Sequence, residues 1–178
     1  MEVFFNYNET EVVMIFVTVG THEQQFNRLV EYMDKYAEAH PDEEIIIQTG
    51  FSTYEPKKAT WSKLYPYKTM IEMVDKARIV ITHGGPSSFI MPLQISKIPI
   101  VVPRNHEYGE HINNHQIDFC RKVADRQRNI IVIENVEELG EMLDKYGEVV
   151  KKMQSKLESN NEKFCKEFSE LIDGLIRK

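Results

Sequence analysis

IVITHGGPSSFIMPLQISKIPIVVPRNHEYGEHINNHQ, residues 79–116, reads as strand, glycine turn, helix, strand, polar loop and helix. The apolar run Ile79-Val80-Ile81 ends at Thr82-His83-Gly84-Gly85, and Pro86 opens a helix with Ser87 and Ser88 in its first turn. Proline suits that position because its missing N–H would have no partner there anyway. Adjacent glycines let a ligand approach the backbone without a Cβ in the way. Amides at a helix start carry about half a positive charge and bind phosphate. The segment therefore reads as a cradle for a phosphorylated ligand at the C-terminal edge of a parallel sheet.

Outward from this stretch, strands and helices alternate. Met14 to Val19 is a sharp apolar strand closed by Gly20-Thr21-His22, and Phe26, Leu29, Val30, Met33 and Ala37 then recur at helical spacing until His40-Pro41-Asp42. Glu44 to Gln48 is a buried strand closed by Thr49-Gly50. Phe51 to Thr60 is a loop, Trp61 to Tyr67 a weaker strand, and Met70, Ile71 and Val74 mark a short helix. Beyond the central segment, Pro99 to Val102 is a strand and His111 to Asp125 a helix that buries Ile112, Phe119, Cys120 and Val123. Asn129 to Ile133 is the last strand, and Val136, Leu139, Leu143 and Tyr146 define another helix. The pattern predicts a doubly wound, Rossmann-like α/β fold, its parallel sheet covered on both faces. Four polar or glycine-rich loops then share one rim, at 20–22, 49–50, 83–85 and 104–110, where such folds bind ligands.

The reading divides the chain into an extension (1–13), the main domain (14–147) and a helical tail (148–178). In the tail Val150, Met153 and Leu157 form one stripe, and Phe164, Phe168, Leu171, Ile172 and Leu175 another, with Ser159-Asn160-Asn161 between them. Both stripes are expected to pack on the domain's own sheet; the competing reading docks the second on another protein.

With 178 residues, 42% hydrophobic and 28% charged, the chain can bury one ordinary core. Its net charge of −6 argues against broad nucleic-acid binding. No apolar run approaches the ~20 residues needed to span a bilayer. Cys120 and Cys165 form no ligand motif and read as packed or idle thiols in a reducing compartment.

Candidate chemistry concentrates in two places. One is His83-Gly84-Gly85-Pro86-Ser87-Ser88, whose bland alternative is a tight turn with no ligand. The other is the loop from Arg104 to Gln116; four of the six histidines fall between 83 and 115. Arg104 suits a bidentate pairing with a diphosphate, and Glu110 or His111 suits a hydrogen bond to a ribose or sugar hydroxyl. His22 is either a loop histidine or a general base or phosphate contact, its ordinary pKa lying near 6.5. His111 and His115 have the i, i+4 spacing of zinc ligands, but HExxH is absent and no third ligand is placed, so no metal is expected. No GxGxxG follows the first strand and no GxxxxGK[ST] occurs, which leaves classical dinucleotide and P-loop sites unsupported. Lys57, Lys58, Lys63 and Lys68 interleave with Tyr54, Trp61, Tyr65 and Tyr67, either as a solvated edge or against an anionic membrane.

Phe16 to Gln24 (FVTVGTHEQ), Gln48-Thr49-Gly50, Thr82 to Ser88, Pro103-Arg104 and Gly109-Glu110-His111 together resemble the bacterial polysaccharide branch of the glycosyltransferase family 28 C-terminal domain, over roughly Met14 to Leu143. The branch includes capsule and exopolysaccharide galactosyltransferase subunits. It is similar to the small subunit of the two-part N-acetylglucosaminyltransferase of the dolichol pathway. The resemblance implies the donor-binding, C-terminal-type half of a GT-B enzyme. A UDP-sugar would lie against Gly20, Thr21 and His83 to Ser88, with Arg104, Glu110, His111 and Asn114 near the uridine and hexose. Single-chain relatives carry a ribose-binding glutamate on the helix after the glycine turn. Here Pro92 stands near that place, which shifts the role to Glu110.

The expected function follows from the resemblance. It is metal-independent, inverting transfer of a hexose, most simply galactose, from UDP-sugar to an undecaprenyl-diphosphate-linked saccharide, with no cofactor. A separate membrane-anchored subunit would bring the acceptor. The chain would be cytoplasmic, held at the inner membrane face by that partner, with His22 as candidate base. A non-catalytic donor-binding or scaffold subunit is the alternative. An epimerase is set aside for want of a dinucleotide fingerprint, and a hydrolase would release UDP without acceptor.

Overall fold

A computed structural model describes residues 13–153. Six parallel strands form one sheet: β1 (Val13–Thr18), β2 (Glu43–Gln48), β3 (Thr60–Ser62), β4 (Ile79–His83), β5 (Ile100–Val102) and β6 (Ile131–Val132). Their order is β3-β2-β1-β4-β5-β6, with Phe16 of β1 between Ile46 and Val80 of its neighbours. Five helices connect them: α1 (Asn27–Ala39), α2 (Tyr67–Lys76), α3 (Pro86–Gln94), α4 (His115–Gln127) and α5 (Leu139–Lys151). The expected parallel, doubly wound α/β sheet is therefore present.

Strand side chains alternate between the two faces. Ile15, Val17, Ile45, Ile47, Ile79, Ile81, Ile100 and Val102 form one core with Leu29, Val30 and Met33 of α1 and Leu139, Leu143 and Tyr146 of α5. Met14, Phe16, Ile46 and Val80 pack against α2, and Val101 against Phe89, Leu93 and Cys120 of α3 and α4. Burial on both sides explains why the strands are apolar almost throughout rather than alternating with polar residues. At about 1.5–3 kcal/mol for each large side chain removed from water, these layers supply most of the driving force. The C-terminal end of α2 is closed by Lys97, whose ammonium reaches the carbonyls of Val74, Asp75 and Ala77, a cation at the negative end of the helix.

Asp34 fixes the approach to β3. Its buried carboxylate accepts the N–H groups of Lys57, Lys58 and Ala59 and the Tyr54 hydroxyl at 2.7–3.0 Å. Burial by itself raises the carboxyl pKa; the three backbone N–H bonds and the tyrosine outweigh it, so the net position is below the ordinary value. A depressed folded-state pKa contributes stability that is present above the unfolded value and lost as pH falls through the folded one. Asp34→Ala is therefore expected to destabilise the chain at pH 7 and to cost progressively less below pH 4. Urea titrations of both proteins across that range measure this; a pH-independent difference between them would contradict it.

Several boundaries differ from the sequence expectation. β3 is three residues long, not seven, because Pro66 caps α2 and Tyr67 already begins it. α4 starts at His115 rather than His111. The Asn113 side chain accepts the His115 N–H, and that of Asn114 accepts the His106 N–H at 2.8 Å, which holds 111–114 as bends. Ile112 and Phe119, expected inside, are 72% and 40% exposed, and Ile117 takes the inward position. The last strand shortens to two residues. α5 runs unbroken through position 148, and Val149, Val150 and Met153 pack on the α1–α5 core. Residues 1–12, Leu157 of the first stripe, Cys165 and the whole second stripe of Phe164, Phe168, Leu171, Ile172 and Leu175 lie outside the described residues. Among the described residues no helix is long and apolar enough to cross a membrane.

Candidate functional site

β1 hands the chain to α1 on one face of the sheet, and its neighbour β4 hands it to α3 on the other. The crevice between their C-terminal ends is the topological switch point where open α/β sheets bind ligands. Gly20-Thr21-His22 lies on one side of it and the His83–Ser88 turn on the other.

The imidazole of His83 fills the space between these loops. A Cβ at Gly20 would stand 2.3 Å from its Nε2, and a Cβ at Gly85 2.2 Å from its Cε1. Gly84 is pressed by α4, where a Cβ would meet Gln116 Oε1 at 2.9 Å and Cys120 Sγ at 3.0 Å. The glycines are therefore required by the protein's own packing, not by ligand approach as the sequence suggested. Burial pushes the His83 pKa down to about 4, helped by the nearby Arg104, His22 and His111, so the ring is neutral at pH 7. Burial likewise pushes the Cys120 thiol up to about 11, which keeps it protonated and unreactive.

The expected cradle of free amides is also largely occupied. Gly85 N–H donates to His83 Nδ1 at 3.0 Å, Ser88 N–H donates to the Gly85 carbonyl at 3.0 Å, and Pro86 has no N–H. Exposed Ser87, with its backbone N–H, and the half-buried Ser88 hydroxyl remain at the edge. Ser88 Oγ lies 2.9 Å from His83 Nε2.

Arg104 does not face the rim. It is fully buried, and its guanidinium donates to the carbonyls of Val19, Gln24, Gln25 and Glu110 at 2.9–3.1 Å, with the Phe26 ring 4.9 Å away. Burial draws its pKa down to about 10, opposed by Glu110, so it stays charged. Glu110 is equally enclosed. Its carboxylate accepts Arg28 Nε and Nη2 at 3.0 Å and the Asn105 N–H at 2.9 Å. The expected pairing of Arg104 with a diphosphate and of Glu110 with a ribose are thus corrected: both side chains are consumed in tying the rim loops together. Pro92 is buried inside α3.

His22, Thr21 and Asn114 are exposed. The rings of His22 and His111 are 4.9 Å apart, and those of His111 and His115 4.5 Å. His111 is buried with Nδ1 unpartnered; burial, then its neighbours His115, His22 and Arg104, hold its pKa below the ordinary value. His22 Nδ1 accepts the Gln24 N–H at 3.2 Å, a bond that favours the tautomer with the proton on Nε2. Among the described residues no three histidine, cysteine or acidic side chains come together to hold a metal. The interleaved lysine–aromatic segment does not form one face. Tyr54 and Trp61 bond inward to Asp34 and Pro56, while Lys58 pairs with Glu38.

Three further residues shape the rim: Gln116, which the sequence reading placed in the candidate loop, and Arg28 and Tyr108, which it did not name. Gln116 accepts the Arg104 N–H from the first turn of α4. Arg28 binds Glu110 and the Glu134 and Pro103 carbonyls. Tyr108 stands 56% exposed with the Arg28 guanidinium 4.9 Å from its ring. An aromatic between a charge and a glycine in a polar loop was the available hint for Tyr108.

This architecture recurs in solved structures. The glycotransferase of kitacinnamycin aligns at TM-score 0.61 and 16% identity, over 79% of this chain and 37% of that one. The calicheamicin glycosyltransferase CalG4 aligns at 0.58 and 15%, over 94% and 45%. The UDP-GlcNAc 2-epimerase of Neisseria meningitidis, bound to UDP-GlcNAc, aligns at 0.58 and 12%, over 98% and 47%. The chain spans less than half the length of each, and at these identities the likeness is one of fold. No curated protein matches the chain. Residues 14–175 match the Glycosyltransferase family 28 C-terminal domain, and with nearly the whole sequence so covered the chain belongs to that family.

Proposed function

We propose that this chain binds the nucleotide-sugar donor of a GT-B glycosyltransferase whose acceptor-binding half is a membrane-anchored polypeptide. The donor is a UDP-hexose, most simply UDP-galactose. The acceptor is a lipid-linked, undecaprenyl-diphosphate saccharide of capsule or exopolysaccharide synthesis, and transfer inverts the anomeric centre without a metal. The observation that carries this reading is the placement of Ser87 and Ser88 at the start of α3, beside the β1 loop at the switch point, in a family 28 C-terminal domain. Hydroxyl donors there suit the charge that gathers on a leaving diphosphate. Support for a uridine nucleotide comes from the epimerase of like fold, solved with UDP-GlcNAc.

The Gln24 N–H that His22 Nδ1 accepts favours the variant of this reading in which the acceptor half supplies the general base. In that variant His22 serves as a donor to phosphate or sugar oxygen, its Nε2 carrying the proton while Nδ1 accepts from Gln24. Transfer should therefore need both polypeptides. Co-expression with a membrane-anchored partner and a panel of UDP-sugars on lipid-linked acceptor tests this. Metal-independent turnover with UDP-galactose, only when both are present, is expected. Failure of the assembled pair to bind UDP at millimolar concentration would remove the reading.

A further inference from the structure

We propose that His83 is a positioning residue that, by donating to the Ser88 oxygen, turns the Ser88 hydroxyl proton toward the anionic oxygens of a bound nucleotide. The argument starts from the partners of the ring. Gly85 N–H can only donate, and it is aimed at His83 Nδ1 from 3.0 Å. A neutral imidazole has one donor and one acceptor nitrogen, so Nδ1 is bare and the proton sits on Nε2. That proton faces Ser88 Oγ at 2.9 Å. The serine oxygen therefore accepts from the ring, and its own single proton is directed elsewhere.

A flipped ring would set Cδ2 against the Gly85 N–H and Cε1 against Ser88 Oγ, and would lose both bonds. Nor does the imidazolium fit: a proton on Nδ1 would confront the Gly85 N–H, and the buried ring has its pKa pushed down to about 4. The arrangement matters because the turn has few other donors. Two of its amides are used internally and Pro86 has none. The ring occupies one acceptor site of the Ser88 oxygen and leaves its proton free to be given to a phosphate oxygen.

For its ligand this inference rests on the nucleotide reading above, and the test separates the two. In the full chain without nucleotide, nitrogen-15 spectra of the His83 ring are expected to show a bare Nδ1 and a protonated Nε2, unchanged from pH 8 to pH 5. Protonation at Nδ1, or titration near 6.5, would overturn the relay. Calorimetry with UDP is expected to show affinity falling about 10- to 100-fold in Ser88→Ala, the loss of one charge-assisted bond. His83→Phe, which fills the slot without a donor, should lose a similar amount, and the double variant no more than Ser88→Ala alone. His83→Gln, which restores a donor near Nε2, should recover most of the loss. Additive losses in the double variant, or full affinity in Ser88→Ala, would overturn the proposal. Uridine, which lacks phosphate, should bind all variants alike. If the wild-type chain ignores UDP while the spectrum shows the bare Nδ1, the nucleotide assignment fails and the ring geometry stands.

Discussion

Arg104→Met is expected to lower stability by about 3–5 kcal/mol, the cost of breaking a buried charged network from one side. Four backbone carbonyls lose their donor together, and the Glu110 carboxylate loses a neighbouring charge. For a chain of this size each kcal/mol shifts the midpoint by about 2–4 °C, so thermal unfolding followed by circular dichroism should shift by roughly 6–20 °C. Arg104→Lys should recover little, because one ammonium cannot span carbonyls that approach from two loops, whereas a planar fork can. If Arg104 instead met the diphosphate, the Met variant would keep its midpoint and lose only UDP affinity. A lysine variant as stable as wild type would contradict the bonding described here.

The second large effect lies at the histidine slot. Gly20→Ala is expected to cost about 2–4 kcal/mol. Its φ of +76° is strained for any residue with a Cβ, and that Cβ would collide with His83 Nε2. Gly85→Ala meets only the collision, since its φ of −78° is ordinary. Shrinking the ring through His83→Ser should therefore restore Gly85→Ala to the stability of His83→Ser alone, and restore Gly20→Ala only in part. Denaturant midpoints of the two double variants decide this. Equal rescue of both would refute a backbone contribution at Gly20.

The sheet was legible because each strand is an apolar run closed by glycine or a polar turn, a signal local to a few residues. The rim was legible too, because parallel strands bring their C-terminal loops to one edge whatever the order. Which way a rim side chain points was not. Arg104 in a polar loop looks like a ligand group, and only the partners that folding brings to it, Val19 from 85 residues away and Gln24 from 80, turn it inward. Glu110 is decided in the same way by Arg28, 82 residues distant. The glycine turn misled for a related reason. Its sequence matches an anion cradle, yet the Gly85 and Ser88 amides are spent on His83 and on the turn itself. The start of α4 was placed four residues early because the asparagine bonds that hold 111–114 as bends are invisible to apolar periodicity.

One guanidinium grips the segments that follow β1 and β5, and this gives that flank of the rim a single kinetic character. Neither segment can swing outward without breaking the bonds of that shared guanidinium, so their amide protons are expected to exchange together and slowly. The loops after β2 and β3, where Phe51 and Leu64 stand in the open, lie outside the reach of that guanidinium.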